Sequence, residues 1–508
     1  MQRKINLKRL GLASFGILMI PLMNVQAQTP VSNLGSFDTF SDIGSPGIAG
    51  SANYAESNQT YRLSGSGANI WFGTDSFSFL SKKTSEDFIL QTQIRFIGEG
   101  HELHRKTGLM VRSSLAPDSP MVACTVHGDG LTSLQYRSKK GEDIKETKFT
   151  ITGPDVLQLE KKGNTYTMSV AHWGETYVVE KLENFDLGAD LTAGLFICSH
   201  TNEYSEEVVF SNTRIFKTAP DSLVQYQDYL GSLLEIMDVE TGHRHVLANS
   251  EDSWQAPNWT PDGKTLIYNS KGLLYNFDIA AGKSTVLDTD FAIKNNNDHV
   301  LTFDGKQLAI SHHAEESKGQ SVVYTVPVTG GVPKRATEKS PSYLHGWSPD
   351  NKFLVYTGQR DGEFDIYKIP ATGGEEIRLT DAEGLDDGSE YSPDGKYIYF
   401  CSTRTGTMQV WRMDADGKNQ TQLTFDELND WFPHVSPDNK WLVFISFPKE
   451  VPADKHPFYE RVYIRLMPIQ GGDVNVIGYL YGGQGTINVP SWSPDSKKIA
   501  FISNGVFK

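Results

Sequence analysis

Residues 345–356 read HGWSPDNKFLVY, and close variants of this stretch recur down the second half of the chain. The motif aspartate returns as Asp262, Asp304, Asp350, Asp394, Asp438 and Asp495, at intervals of about 42 to 46 residues and a last one of about 57, the period of a four-stranded propeller blade. The longer interval holds an insertion, FPKEVPADKHPFYE, from Phe447 to Glu460. In WSPDNK, Trp347 is expected to end an inner strand and pack between blades, Pro349 presets a tight turn, and Asp350-Asn351 tolerate its geometry. Three copies carry Asp-Gly there, and an alternating strand follows each, as in KFLVYTG or KKIAFIS. Six inner strand pairs are present, the last at the end of the chain, while LLEIMDVETGHRHVLA (233–248) supplies two outer strands before any inner pair. The first strands are therefore expected to complete the last blade, closing a six-bladed ring without free edges.

Upstream the texture changes. From about residue 34 to 217, short alternating strands such as DFILQTQIRF, GLMVRSS, YTMSVAH and AGLFICSH are separated by turn residues, with no sustained helical period. This predicts an antiparallel β-sandwich over 34–217, a connector over 218–232 with room for a short helix, and the propeller over 233–508. The class is all-β.

The chain opens with a basic start (Arg3, Lys4, Lys8, Arg9), a short apolar core and Val25-Gln26-Ala27, the pattern of a signal peptide over residues 1–27. A periplasmic or secreted protein is expected, with no membrane-spanning segment after cleavage. The formal charge is −15, and about −19 without the leader, which argues against nucleic-acid binding. The three cysteines, Cys124, Cys198 and Cys401, each lie in an apolar strand and are expected as buried free thiols, a Cys124–Cys198 bridge being the alternative.

The copies PNWTPDGKTLIYNS, EYSPDGKYIYFCS, HVSPDNKWLVFIS and SWSPDSKKIAFIS resemble the TolB-like propeller family and its PD40 repeats. The first region, through GLMVRSSLAPDSP, HGDGLTSLQYR and FSNTRIF, resembles a concanavalin-like sandwich of the lectin and glucanase type. The resemblance implies a range of functions: partner binding in the periplasm as in TolB, or metal-assisted elimination as in oligogalacturonate lyases. Related propellers also precede peptidase domains, but no GxSxG serine is present here.

Inner strands line a propeller's channel, so the residues just before each motif are the candidates for a site. In register these include Trp254, Asp298-His299, Tyr343, His345, Asp387, Glu390, Asp430-Trp431 and His434. The position two before the motif's aromatic varies among the copies: Pro257, His299, His345, Ser389, Pro433 and Pro490. A polar, solvated channel would explain the carboxylates and imidazoles equally well. As a site, His299, His345, Asp387, Glu390 and His434 could ligate a divalent cation, calcium or manganese, and His299, His345 or Asp387 could act in catalysis. Asp298, Glu390, Asp430 and His434 could instead hydrogen-bond a glycan stacked on Trp254, Tyr343 or Trp431.

In the sandwich, Arg112, His127, Asp129, Gln135 and Arg137 fall on adjacent strands and form a second candidate surface. His101-Glu102-Leu103-His104 lacks the i, i+4 histidine spacing of a zinc helix. Arg360 and Arg404 sit in second-hairpin positions, where acidic loops are their expected partners. The sequence thus predicts an exported protein that binds a glycan or an envelope protein. A carbohydrate lyase or hydrolase is the alternative, and the oligomeric state is left open.

Overall fold

The computed structural model describes residues 33–507; the predicted leader lies outside them. Strands run from Thr39 to Lys217 as two seven-stranded antiparallel sheets packed face to face. One has the central strands Leu191–Cys198, Lys106–Arg112, Met121–His127 and Thr132–Arg137; the other is built on Phe88–Ile97, Thr201–Lys217 and Thr60–Gly67. Alternate residues such as Leu109, Val111, Val122, Leu134, Leu157, Leu195 and Val208 fill the space between the sheets. The opposite face of the first sheet is also covered, because the loop carrying Ile70 and Trp71 lies over Met110, Met121, Ala123 and Phe196.

The remaining strands form six radial sheets. Blade 1 begins at Gln255–Trp259, blade 2 at Asn295–Leu301, blade 3 at Ser342–Trp347, blade 4 at Asp386–Tyr391 and blade 5 at Asn429–Val435; each has four strands. Blade 6 joins Lys498–Asn504 to Ser232–Asp238 and Arg244–Ser250, so the first propeller strands do complete the last blade. Its innermost strand is reduced to a bridge between Trp492 and Ile499. The connector after Lys217 forms turns, not a helix; among the described residues the single helical segment is one 3-10 turn, Glu315–Ser317. No helix there is long and apolar enough to cross a membrane.

The repeated motif has a visible mechanical role. In each copy a hydroxyl donates to the motif aspartate, as Ser348 does to Asp350 at 2.7 Å and Thr260 to Asp262 at 2.7 Å. The next residue takes a left-handed φ: Gly263 at 72°, Asn351 at 59° and Ser496 at 61°. That conformation explains why Gly and Asn predominate there. Trp347 is buried and its indole N–H donates to Val300 O of the neighbouring blade at 2.9 Å, and Trp492 does the same to His434 O at 3.0 Å.

Sandwich and propeller share a buried polar joint. Glu235 of blade 6 accepts from Arg214 of the sandwich at 2.8 Å and from Arg244 at 2.6 Å. Burial pushes the Glu235 carboxyl up, but the two guanidinium groups outweigh it and hold it down at about 2. Gln91 donates to Tyr479 O at 2.9 Å, and Trp173 of the sandwich lies on Gly242, where a Cβ would come within 2.1 Å of its ring. All three cysteines are buried and free.

Candidate functional site

One mouth of the propeller opens into a cavity of ≈ 970 Å³. Its wall is assembled from the residues that precede the motif in blades 1 to 5, among them Gln255, Asn296 to Asp298, Tyr343, His345, Asp387 and Phe432. The inner strands of blades 1 to 5 all carry a β-bulge at this level, so the ladder register breaks just where side chains turn into the channel.

The bulge separates residues that the repeat makes equivalent. In blade 3 the register slips between Leu344 and Gly346, leaving His345 unpaired and aimed into the cavity. In blade 2 the slip comes before His299, which pairs with Ile310, and its Nε2 lies 3.2 Å from Ile267 O of blade 1. A slip of one residue turns a side chain to the other face. His299 is therefore wall rather than site, and burial drives its pKa down to about 4.

His345, Asp387 and Asp298 form the centre. The His345 Nε2 sits 2.8 Å from Asp387 Oδ1, an ion-pair contact without hydrogen-bond alignment, while its buried Nδ1 meets no protein partner among the described residues. Asp387 also accepts from the Thr357 hydroxyl at 2.7 Å and from Gly388 N at 2.8 Å. Burial works to raise the Asp387 carboxyl, yet the His345 charge and these donors hold it at about 2. The reverse holds for His345, where burial disfavours the cation but Asp387, and then Asp298, overcome it and raise the pKa. Asp298 receives one side-chain bond, from Asn296 Nδ2 at 2.7 Å, and burial together with Asp387 lifts its carboxyl to about 6 against the pull of His345.

Three groups at this mouth were not among the sequence candidates. His456 comes from the insertion in blade 5, packs edge-on to Trp431 at 4.4 Å, and holds Gln484 Oε1 at 2.5 Å; burial keeps it neutral by lowering its pKa. Phe432 enters beside it with a φ of 53° at the bulge. Gln225, Tyr226 and Tyr229 reach over from the connector, which Gln225 ties to the insertion through two hydrogen bonds to the Phe458 backbone. The longer repeat interval was the available signal for the insertion; nothing in the repeat pointed to the connector.

The other candidates are placed elsewhere. Glu390 and His434 pair with each other, Oε2 to Nδ1 at 2.5 Å, and Glu390 lines a smaller cavity of ≈ 310 Å³ ringed by Trp259, Trp347, Trp492 and prolines. Asp430 is fully buried between Ser446 Oγ at 2.7 Å and Arg465 at 3.1 Å. Trp431 is fully buried, and Trp254 packs on Tyr268 with ring centroids 4.7 Å apart. The five residues expected to share a cation are thus split between the wide mouth, the narrow cavity and the wall. Among the described residues no group of three or more His, Cys, Asp or Glu is arranged to hold a metal ion. Arg360 and Arg404 meet Glu376 and Asp386, the acidic partners expected of them, at 2.8 and 2.7 Å.

In the sandwich, register places Arg112, His127, Gln135 and Arg137 on one sheet face. Arg112 and Arg137 are fully buried and both grip Asp75, at 2.7 Å each, so neither presents a guanidinium to a ligand. His127 is buried, and burial beside Lys106 lowers its pKa to about 3. Asp129 is exposed and accepts from Leu131 N at 3.0 Å within its own turn.

A sandwich of two sheets joined to a six-bladed ring whose motif turns share one hydrogen-bond scheme defines a class of propeller protein. The chain belongs to the TolB-type propeller family. The model of the TolB beta propeller domain (PD40) matches residues 337–455. An uncharacterised protein of Agrobacterium fabrum, Atu1656, is 45% identical over 272 residues, which are 53% of this chain and 92% of that protein. The solved structure of the 'putative TolB' of Agrobacterium tumefaciens is 43% identical, with a TM-score of 0.53, and covers 55% of this chain and 100% of its own. The Tol-Pal system protein TolB of Francisella tularensis subsp. mediasiatica is 26% identical over 249 residues, 46% of this chain and 53% of that protein.

Proposed function

We propose that this is an exported envelope protein that binds a glycan in the wide mouth of its propeller and does not transform it. The observation that carries this reading is the chemistry of the cavity wall. Eight carboxamide side chains (among them Gln255, Asn269, Asn296, Asn297 and Asn488) converge with the flat faces of Tyr343, Phe432 and Tyr226. Amides offer a donor and an acceptor from one group, the pattern a hydroxyl-rich ligand requires, and aromatic faces take the apolar side of a sugar ring. A concave cavity of this size suits a small ligand better than the flat surface of a folded partner. Binding without turnover is favoured because Asp387 already spends its carboxylate on His345, Thr357 and Gly388, leaving no free nucleophile beside Asp298. The kinship with Tol-Pal system proteins and the leader-like start support an envelope location.

A second reading, a carbohydrate lyase or hydrolase, draws on Asp298: a carboxyl that titrates near neutrality opposite a histidine is suited to acid–base work. Calorimetric titration with a panel of oligosaccharides tests the first reading. Binding is expected for the wild type and its loss for Tyr343→Ala and Asn296→Ala; unchanged affinity in both variants would refute it. Release of shortened or unsaturated products, abolished in His345→Ala, would establish the second.

A further inference from the structure

Building on the glycan reading, we infer that the ligand presents a protonated amine to Asp298, which makes the preferred sugar a hexosamine with a free amino group rather than a neutral hexose. The argument rests on how the charges of the cavity wall are matched. Lys271 is held by Asp252 at 2.6 Å, Lys455 by Asp454 at 3.2 Å, and His345 by Asp387 at 2.8 Å. Outside the wall, Arg360 and Arg404 are likewise engaged with Glu376 and Asp386. Asp298 is the carboxylate of this wall that no cation claims: it is 5% exposed, Asn296 occupies its Oδ2, and Oδ1 meets no donor among the described residues.

A buried carboxylate with a single neutral hydrogen bond is an unfavourable ion unless something supplies the missing charge. The charges around it leave a negative balance. Asp387 of blade 4 adds negative charge, and His345 of blade 3 is committed to Asp387. His456 of the blade 5 insertion is held neutral, and the Tyr343 hydroxyl lies in the field of both carboxylates. Asp298, His345 and Asp387 together therefore carry one net negative charge when ionised. An ammonium at Oδ1 would neutralise that charge through a charge-assisted hydrogen bond.

The test compares three pairs that differ chiefly in one group, glucosamine with glucose, galactosamine with galactose and mannosamine with mannose. Each is titrated at pH 7 into the full-length protein and followed by ligand-observed NMR. In at least one pair the amino sugar is expected to bind about tenfold more tightly or better, the worth of a charge-assisted hydrogen bond. Asp298→Asn keeps the shape and should erase that ratio, and Tyr343→Ala should weaken both members of the pair. Thermal melts confirm that each variant is folded. Equal affinity within every pair would overturn the amine inference and leave the glycan reading standing. Binding of no sugar in any pair would overturn both. A preference that survives in Asp298→Asn would place the cation elsewhere and also overturn the inference.

Discussion

The sandwich and the funnel each hold a compact group of opposite charges, and the two differ in how they are finished. Asp75 is held by Arg112 and Arg137, both fully buried, and their remaining donors reach carbonyls of Ser114, Ala116 and Glu142. In the funnel, Asp298, His345 and Asp387 surround a cavity with donors and acceptors left over. From composition the two groups look alike, and both were read as ligand surfaces. What separates them is saturation: a closed cluster serves the fold, and an unsaturated one facing a cavity is available to a ligand.

Breaking this contrast begins with the closed cluster. Asp75→Ala leaves two buried guanidinium groups without their anion and is expected to cost about 3–5 kcal/mol in urea unfolding, with funnel binding unchanged in the surviving folded protein. A loss below about 1 kcal/mol would mean that the cluster is not structural after all. The funnel should behave in the opposite sense. Because the Asp298 carboxyl lies above its unfolded value, ionising it costs stability as pH rises from about 4 to 6, and the full cost is present above that. Asp298→Asn is therefore expected to stabilise the protein by about 1–3 kcal/mol at pH 8 and by nothing below pH 4, read from unfolding curves across pH. A destabilised variant at pH 8 would show that Asp298 has a partner that compensates its burial.

Glu235 at the joint provides a control of opposite sign. Its depressed carboxyl contributes stability above about pH 4.5 that is lost as pH falls toward 2, so Glu235→Gln should flatten the acid limb of the stability profile. The smallest effect is expected at Asp129→Ala, an exposed turn residue, which should change stability by less than about 0.5–1 kcal/mol and leave every affinity as it was.

Much of the architecture was legible because it repeats. The hydroxyl–aspartate turn and the left-handed residue after it recur in every blade, so the period revealed the ring and even its closure by the first strands. The site was legible only in part, because it depends on what does not repeat. His299 and His345 occupy the same position in the repeat, yet the placement of one bulge sends the first into the wall and the second into the cavity. His456 and Tyr226 lie outside the repeat altogether and reach the mouth through an insertion and a connector. Arg112 and Arg137 were read from the sequence as lying on adjacent strands, but their common partner, Asp75, lies on a distant loop that no local pattern links to them.

The closure of the ring also bears on how the molecule is made. Lys498–Asn504 pairs with Ser232–Asp238, and just beyond it Gly505 O accepts from Lys217 N at 2.9 Å while Val506 N donates to Leu230 O at 2.9 Å. Residues 498–506 therefore fasten both the circle of blades and the end of the sandwich. During synthesis the sandwich has all its strands long before the ring can shut, and five blades must wait with an open seam. A chain that stops before Lys498 would lose that seal, exposing strand edges that a protease or chaperone can recognise.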